Sequence, residues 1–85
     1  MPNVSMYCTG VCPYCTMAER LLQRKGVSEV TKIRVDVEPG KREEMMERTG
    51  RRTVPQIYIG DFHVGGFDDL SELDVEGKLD ELLKA

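Results

Sequence analysis

Val4-Ser5-Met6-Tyr7-Cys8-Thr9-Gly10-Val11-Cys12-Pro13-Tyr14-Cys15 decides how this chain folds, because within this stretch the side-chain pattern changes from that of a strand to that of a helix. Asn3 to Tyr7 alternates polar and apolar residues with period two, the mark of a strand, whereas Cys8 to Val11 has no period and reads as a loop. Cys12-Pro13 opens the next element, since proline is tolerated at the first helical position, where its missing N–H would have had no partner. Tyr14, Ala18, Leu21 and Leu22 then follow the i, i+4, i+7, i+8 spacing of one helix face. Arg24, Lys25 and Gly26 supply the stop signals.

Working outward, Thr31 to Val37 alternates again and predicts a second strand, with Ile33, Val35 and Val37 on one side. Pro39-Gly40 breaks the chain, and Lys41 to Thr49 predicts a short helix carrying Met45 and Met46 and closed by Gly50. Val54 to Ile59 is a strand with a proline near its start, Gly60-Asp61 a turn, and Phe62-His63-Val64 the returning strand of a hairpin. A C-terminal helix starts at Asp68 and is interrupted at Gly77. The order β, α, β, α, β, β, α puts the first two strands parallel through a right-handed crossover and the last two antiparallel. The expected class is α/β, one mixed four-stranded sheet flanked by three or so helices, in a single domain over residues 1–85.

Composition narrows the functions. Eighty-five residues suit one domain. Twelve Lys and Arg against fifteen Asp and Glu give a net charge of −3 with no block of basic residues, which argues against a nucleic-acid partner held by its phosphates. No apolar run exceeds three residues, so no membrane span is expected. The first basic residue is Arg20, so no secretory signal is expected at the N-terminus, and a reducing cytoplasmic setting is the expectation. Three cysteines are too few for a disulfide scaffold.

Cys12-Pro13-Tyr14-Cys15 is a C-x-x-C between a strand and a helix, the context of a redox motif. Cys12 falls at the N-cap, where unpaired N–H groups and the positive end of the helix dipole favour an anion, so its thiol should ionise below the free value of about 8.5. It is the expected nucleophile. Cys15 shares a side of the helix with Ala18 and Leu22 and should be shielded, within bridging reach of Cys12: a resolving thiol. Structural zinc on Cys8, Cys12, Cys15 and His63 is an alternative reading. Cys8 itself reads either as a small buried thiol or as a second redox site.

Cys12-Pro13-Tyr14-Cys15, Thr53-Val54-Pro55 and Gly65-Gly66-Phe67-Asp68-Asp69, in that order and at those distances, resemble a dithiol glutaredoxin of the small bacterial type over essentially the whole chain. The resemblance implies a thioredoxin fold and a glutathione-dependent thiol-disulfide oxidoreductase, with Cys12 reducing glutathione mixed disulfides alone and protein disulfides together with Cys15. It implies a cis bond before Pro55, facing the cysteine pair and leaving the Val54 backbone free to pair with an extended substrate. It also implies that the backbone near Asp68 takes the γ-glutamyl carboxylate of glutathione at a helix N-terminus, with Gly66 allowing close approach and Asp69 taking the ammonium.

Relatives usually carry Lys three residues before the first active-site cysteine, where this chain has Thr9. Arg42, or else Arg51 or Arg52, is the expected compensating cation, and Tyr14 and Thr53 complete the groove. Glutathione is then a co-substrate and no metal is expected. The implied partners are glutathionylated and disulfide-bearing proteins, ribonucleotide reductase among them, and the implied state is a monomer. A thioredoxin-like reductase with another donor, or a carrier of zinc or an iron–sulfur cluster, remains the alternative.

Overall fold

A computed structural model describes residues 2–84, so the first and last residues of the expected 1–85 domain lie outside the described residues. Its elements are β1 (Val4–Cys8), α1 (Pro13–Arg24), β2 (Thr31–Arg34), α2 (Lys41–Thr49), β3 (Gln56–Ile59), β4 (Phe62–Gly65), α3 (Phe67–Val75) and α4 (Lys78–Lys84). The strands form one sheet in the order β2-β1-β3-β4. β1 runs parallel to β2 and antiparallel to β3, and β3 and β4 form the hairpin.

The two central strands are covered on both faces. One face gathers Val4, Met6, Cys8, Ile57 and Ile59 against Cys15, Ala18, Leu21 and Leu22 of α1, Leu70 of α3 and Leu79 and Leu83 of α4. The other packs Tyr7 and Tyr58 under Met45 of α2, with Val35 beside them. Successive side chains of a strand point to opposite faces. Hence Gln56 and Tyr58 lie on the α2 side and Ile57 and Ile59 on the α1 side. This is the mixed four-stranded sheet of the thioredoxin fold, with four helices because Gly77, at φ +78°, separates α3 from α4.

Several boundaries differ from the sequence reading: β1 runs on to Cys8, β4 to Gly65, and β3 starts at Gln56 instead of Val54, after the cis bond to Pro55. β2 ends at Arg34 instead of Val37, because its neighbour β1 ends at Cys8: the Val35 N–H donates to the Cys8 carbonyl, and beyond it Glu38 N–H turns back to the Arg34 carbonyl. The apolar stripe of α1 starts at Cys15, while Tyr14 is 58% exposed. α3 is capped by Gly66, which puts Asp68 in the first turn. Among the described residues no helix is long and apolar enough to cross a membrane.

Candidate active site

Local chemistry places Cys12 and Cys15 differently. Cys12 is the N-cap of α1 in extended conformation, Pro13 begins the helix, and the Cys15 N–H donates to Cys12 Sγ across 3.2 Å. The Cys12 carbonyl accepts from the Thr16 N–H at 3.1 Å, closing the first turn. A sulfur in this position faces helix N–H groups at the positive end of the dipole, an arrangement that favours a thiolate. Cys12 is partly exposed, whereas Cys15 is 5% exposed and packs into the core with Ala18 and Leu22. The two are joined as a disulfide with Cα atoms 5.2 Å apart.

The loop before Cys12 is tied down from the end of β2 and the turn that follows it. Asp36 accepts from the Gly10 N–H at 3.0 Å and from Arg34 through two hydrogen bonds of 2.8 Å, which holds its carboxyl far below the usual carboxylate range. A β-carbon at Gly10 would run into that guanidinium. Cys8, beneath this loop, is buried, and desolvation pushes its thiol above the ordinary value.

Beside Cys12 opens a cleft of about 380 Å³ lined by Tyr14, Arg51, Thr53, Val54, Pro55, Gly66, Phe67, Asp68 and Asp69. The Val54–Pro55 bond is cis, and the Val54 carbonyl lies 3.9 Å from Cys12 Sγ. Opposite stands the N-terminus of α3, whose first turn carries Asp68 and Asp69. Asp69 Oδ2 accepts from the Gly66 N–H and from Arg51 Nη1, each at 2.9 Å. The Arg51 bond, then the Gly66 bond, lowers the Asp69 pKa. Gly65 has φ +109°, and a side chain there would collide with the Asp69 carboxylate, so glycine is required both by its backbone and by the space. The Tyr14 ring lies beside that of Phe67, centroids 6.3 Å apart, and both line the cleft.

Nearly all the residues singled out from the sequence therefore meet in one place: Cys12 with Tyr14, Thr53, Val54, Pro55, Gly66, Asp68 and Asp69. Arg42 does not join them. It lines a separate hollow with Val35, Val37 and Pro39, and the cation in the cleft is Arg51. The zinc arrangement is not assembled either. Cys8 and Cys15 lie on the α1 side of the sheet, while His63 stacks on Tyr58 and bonds Gln56, and among the described residues no three His, Cys, Asp or Glu side chains are gathered to hold a metal.

Sequence reading missed the partnership of Arg51 with Asp69 and of His63 with Gln56. The sequence offered only a lone glutamine among the apolar residues of Val54 to Ile59, and it is the burial of every position of β3 that obliges its amide to find partners inside the protein.

Comparison with known proteins gives a consistent result. The family description "Glutaredoxin" matches residues 4–64. A glutaredoxin of Neisseria meningitidis serogroup A is 54% identical over 83 residues, covering 98% of each chain. Glutaredoxin 3 of Escherichia coli K12 is 52% identical over 84 residues, covering 99% of this chain and all of its own. Among solved structures, the buckwheat glutaredoxin–glutathione complex superposes with a TM-score of 0.88 at 30% identity, over 98% of this chain and 77% of that one.

Proposed function

This chain belongs to the glutaredoxin family and is a thiol-disulfide oxidoreductase, and we propose that it draws its electrons from glutathione and binds that tripeptide in the cleft beside Cys12. The observation that carries this reading is the placement of Cys12 Sγ 3.9 Å from the Val54 carbonyl, at the wall of a cleft that holds one cation, two carboxylates and a helix N-terminus. Glutathione has two carboxylates, one ammonium and an extended backbone. The N-terminus of α3 near Asp68 takes the γ-glutamyl carboxylate. Asp69, whose two protein hydrogen bonds both converge on Oδ2, offers Oδ1 to the ammonium. The Val54 backbone pairs with the cysteinyl residue as an added strand would, Tyr14 and Pro55 supply apolar contact, and Thr53 and Gly66 line the approach.

The chemistry runs by thiolate exchange. The Cys12 thiolate attacks the glutathione sulfur of a mixed disulfide, the target sulfur leaves as a thiolate, and Cys12 carries glutathione. A second glutathione thiolate attacks that glutathione sulfur, releasing glutathione disulfide and the Cys12 thiolate. With a protein disulfide, Cys12 forms a mixed disulfide with the target. Cys15 then attacks Cys12 Sγ, frees the reduced target and leaves the Cys12–Cys15 bond for two glutathiones to reduce. The protein partners are glutathionylated and disulfide-bearing proteins of a reducing cytoplasm, met by a monomer.

Arg51 is the cation in this reading, in place of Arg42. Arg51→Ala should raise KM for a glutathionylated peptide by about three- to tenfold, the worth of one net hydrogen bond at a half-exposed site, while Arg42→Ala stays within about twofold of wild type. An Arg42 effect larger than that of Arg51 would contradict the assignment.

A further inference from the structure

Gln56 is a polar side chain with no solvent exposure, set in the central strand β3. A buried amide must satisfy two N–H donors and one carbonyl. Gln56 Nε2 donates to the Thr53 carbonyl at 2.9 Å and to Thr53 Oγ1 at 3.3 Å, and Oε1 lies 2.8 Å from His63 Nε2. Turned over, the amide would press its oxygen against the Thr53 carbonyl and its NH₂ against the Nε2–H of His63. The Thr53 carbonyl, which only accepts, therefore fixes which way the amide points, and His63 donates to the oxygen left on the other side. Its Nε2–H exists in one neutral tautomer and in the imidazolium alike, and the acceptor it faces selects that tautomer.

The ring is itself held in place. His63 is the cross-strand partner of Tyr58 and stacks on it with centroids 5.0 Å apart, and the Arg48 guanidinium sits 3.8 Å from the other ring's centroid. Burial, then the nearby Arg51, lowers the His63 pKa. At the far end of the chain of contacts, Thr53 is exposed and belongs to no strand or helix. The Gln56 amide is what ties its carbonyl to the sheet, and Val54, the next residue, is the one whose carbonyl faces Cys12.

We propose that His63 is a positioning residue: by donating to Gln56 Oε1 it holds in place the amide that grips the Thr53 carbonyl, and so steadies the Thr53–Pro55 backbone against which an extended peptide disulfide lies. This rests on the reading of the cleft as the substrate site.

The test compares wild type, His63→Phe, which keeps the stacking and loses the donor, His63→Gln, which restores an N–H donor, Gln56→Leu, and the double variant His63→Phe with Gln56→Leu. Steady-state kinetics with a glutathionylated peptide and glutathione should show KM raised about three- to tenfold in His63→Phe with kcat within twofold, the size of one net hydrogen bond. His63→Gln should return KM to within about twofold of wild type, and the double variant should be no worse than Gln56→Leu alone. An unchanged KM in His63→Phe, an equal defect in His63→Gln, or additive effects in the double variant would overturn the proposal. Proton exchange of the Gln56 side-chain NH₂, followed by NMR without any substrate, should be slow in wild type and His63→Gln and fast in His63→Phe. A wild-type protein that does not turn over glutathione would defeat the donor assignment, and the exchange measurement would still decide the positioning one: protection retained in His63→Phe overturns it.

Discussion

Cys8 and Cys12 stand four residues apart with opposite surroundings: one at 3% exposure on the core face of β1, the other capping a helix beside an open cleft. Burial drives the Cys8 thiol above its ordinary value, so at neutral pH it is a protonated, sheltered group. Iodoacetamide added to the reduced native protein at pH 7 should therefore label Cys12 and leave Cys8 untouched until denaturant is added. Mass mapping checks this, and fast native labelling of Cys8 would show that the loop of Thr9 to Val11 opens. The different surroundings of Cys12 and Cys15 were legible in the sequence because helix position alone decides which sulfur meets the dipole and which meets the core. The choice between Arg42 and Arg51 was not. Long side chains on neighbouring elements present the same charge to a sequence reader, and only the path of the chain after Gly50 brings Arg51 to Asp69.

At the scale of elements, the N-terminus of α3 depends on one carboxylate serving two donors, the Gly66 N–H and Arg51. Asp69 has a folded-state pKa below its ordinary 3.8, so its contribution is fully present above about pH 4 and disappears as pH falls through the lower folded value. Its side chain is 41% exposed, which limits the contribution to a fraction of a kcal/mol after screening. Urea unfolding of wild type and Asp69→Asn should differ by a constant amount near neutrality and converge as pH drops below 4. A difference that widens in acid would contradict the pairing. Gly65→Ala meets the same carboxylate sterically and forces a positive φ on a residue with a side chain. It should cost about 1–3 kcal/mol in the same assay and raise KM for glutathione mixed disulfides.

The boundaries of the elements show where sequence patterns stop informing. α2 starts and ends as its glycines and charges predict, at Lys41 and Thr49, because Gly40 and Gly50 both adopt positive φ and stop the helix locally. β2 is shorter than its alternation, because a strand lasts only as long as its neighbour offers hydrogen bonds, and β1 has ended. Pairing partners are a property of the sheet, absent from the local pattern.

For the molecule as a whole, a four-stranded sheet packed on both faces holds the N-cap of α1, the Thr53–Pro55 loop and the N-terminus of α3 at one edge of one cleft. The fold was legible to the level of the element order, the parallel first pair of strands and the hairpin, since periods, prolines and glycines punctuate nearly every element, whereas the pairing of β1 with β3 and the count of four separate helices came from the structure. The contacts that join the β3–β4 hairpin to the cleft were not, because Gln56 and His63 acquire meaning only through the register that places them together. The net charge of −3 likewise hides a local cation where an anionic tripeptide would lie.

The most direct test of the account is glutathione-coupled reduction of a glutathionylated peptide and of a protein disulfide by Cys12→Ser and Cys15→Ser, side by side. Cys12→Ser should lose both reactions, and Cys15→Ser should keep the first and lose the second. Turnover of the glutathionylated peptide by Cys12→Ser at the wild-type rate would contradict the account at its centre.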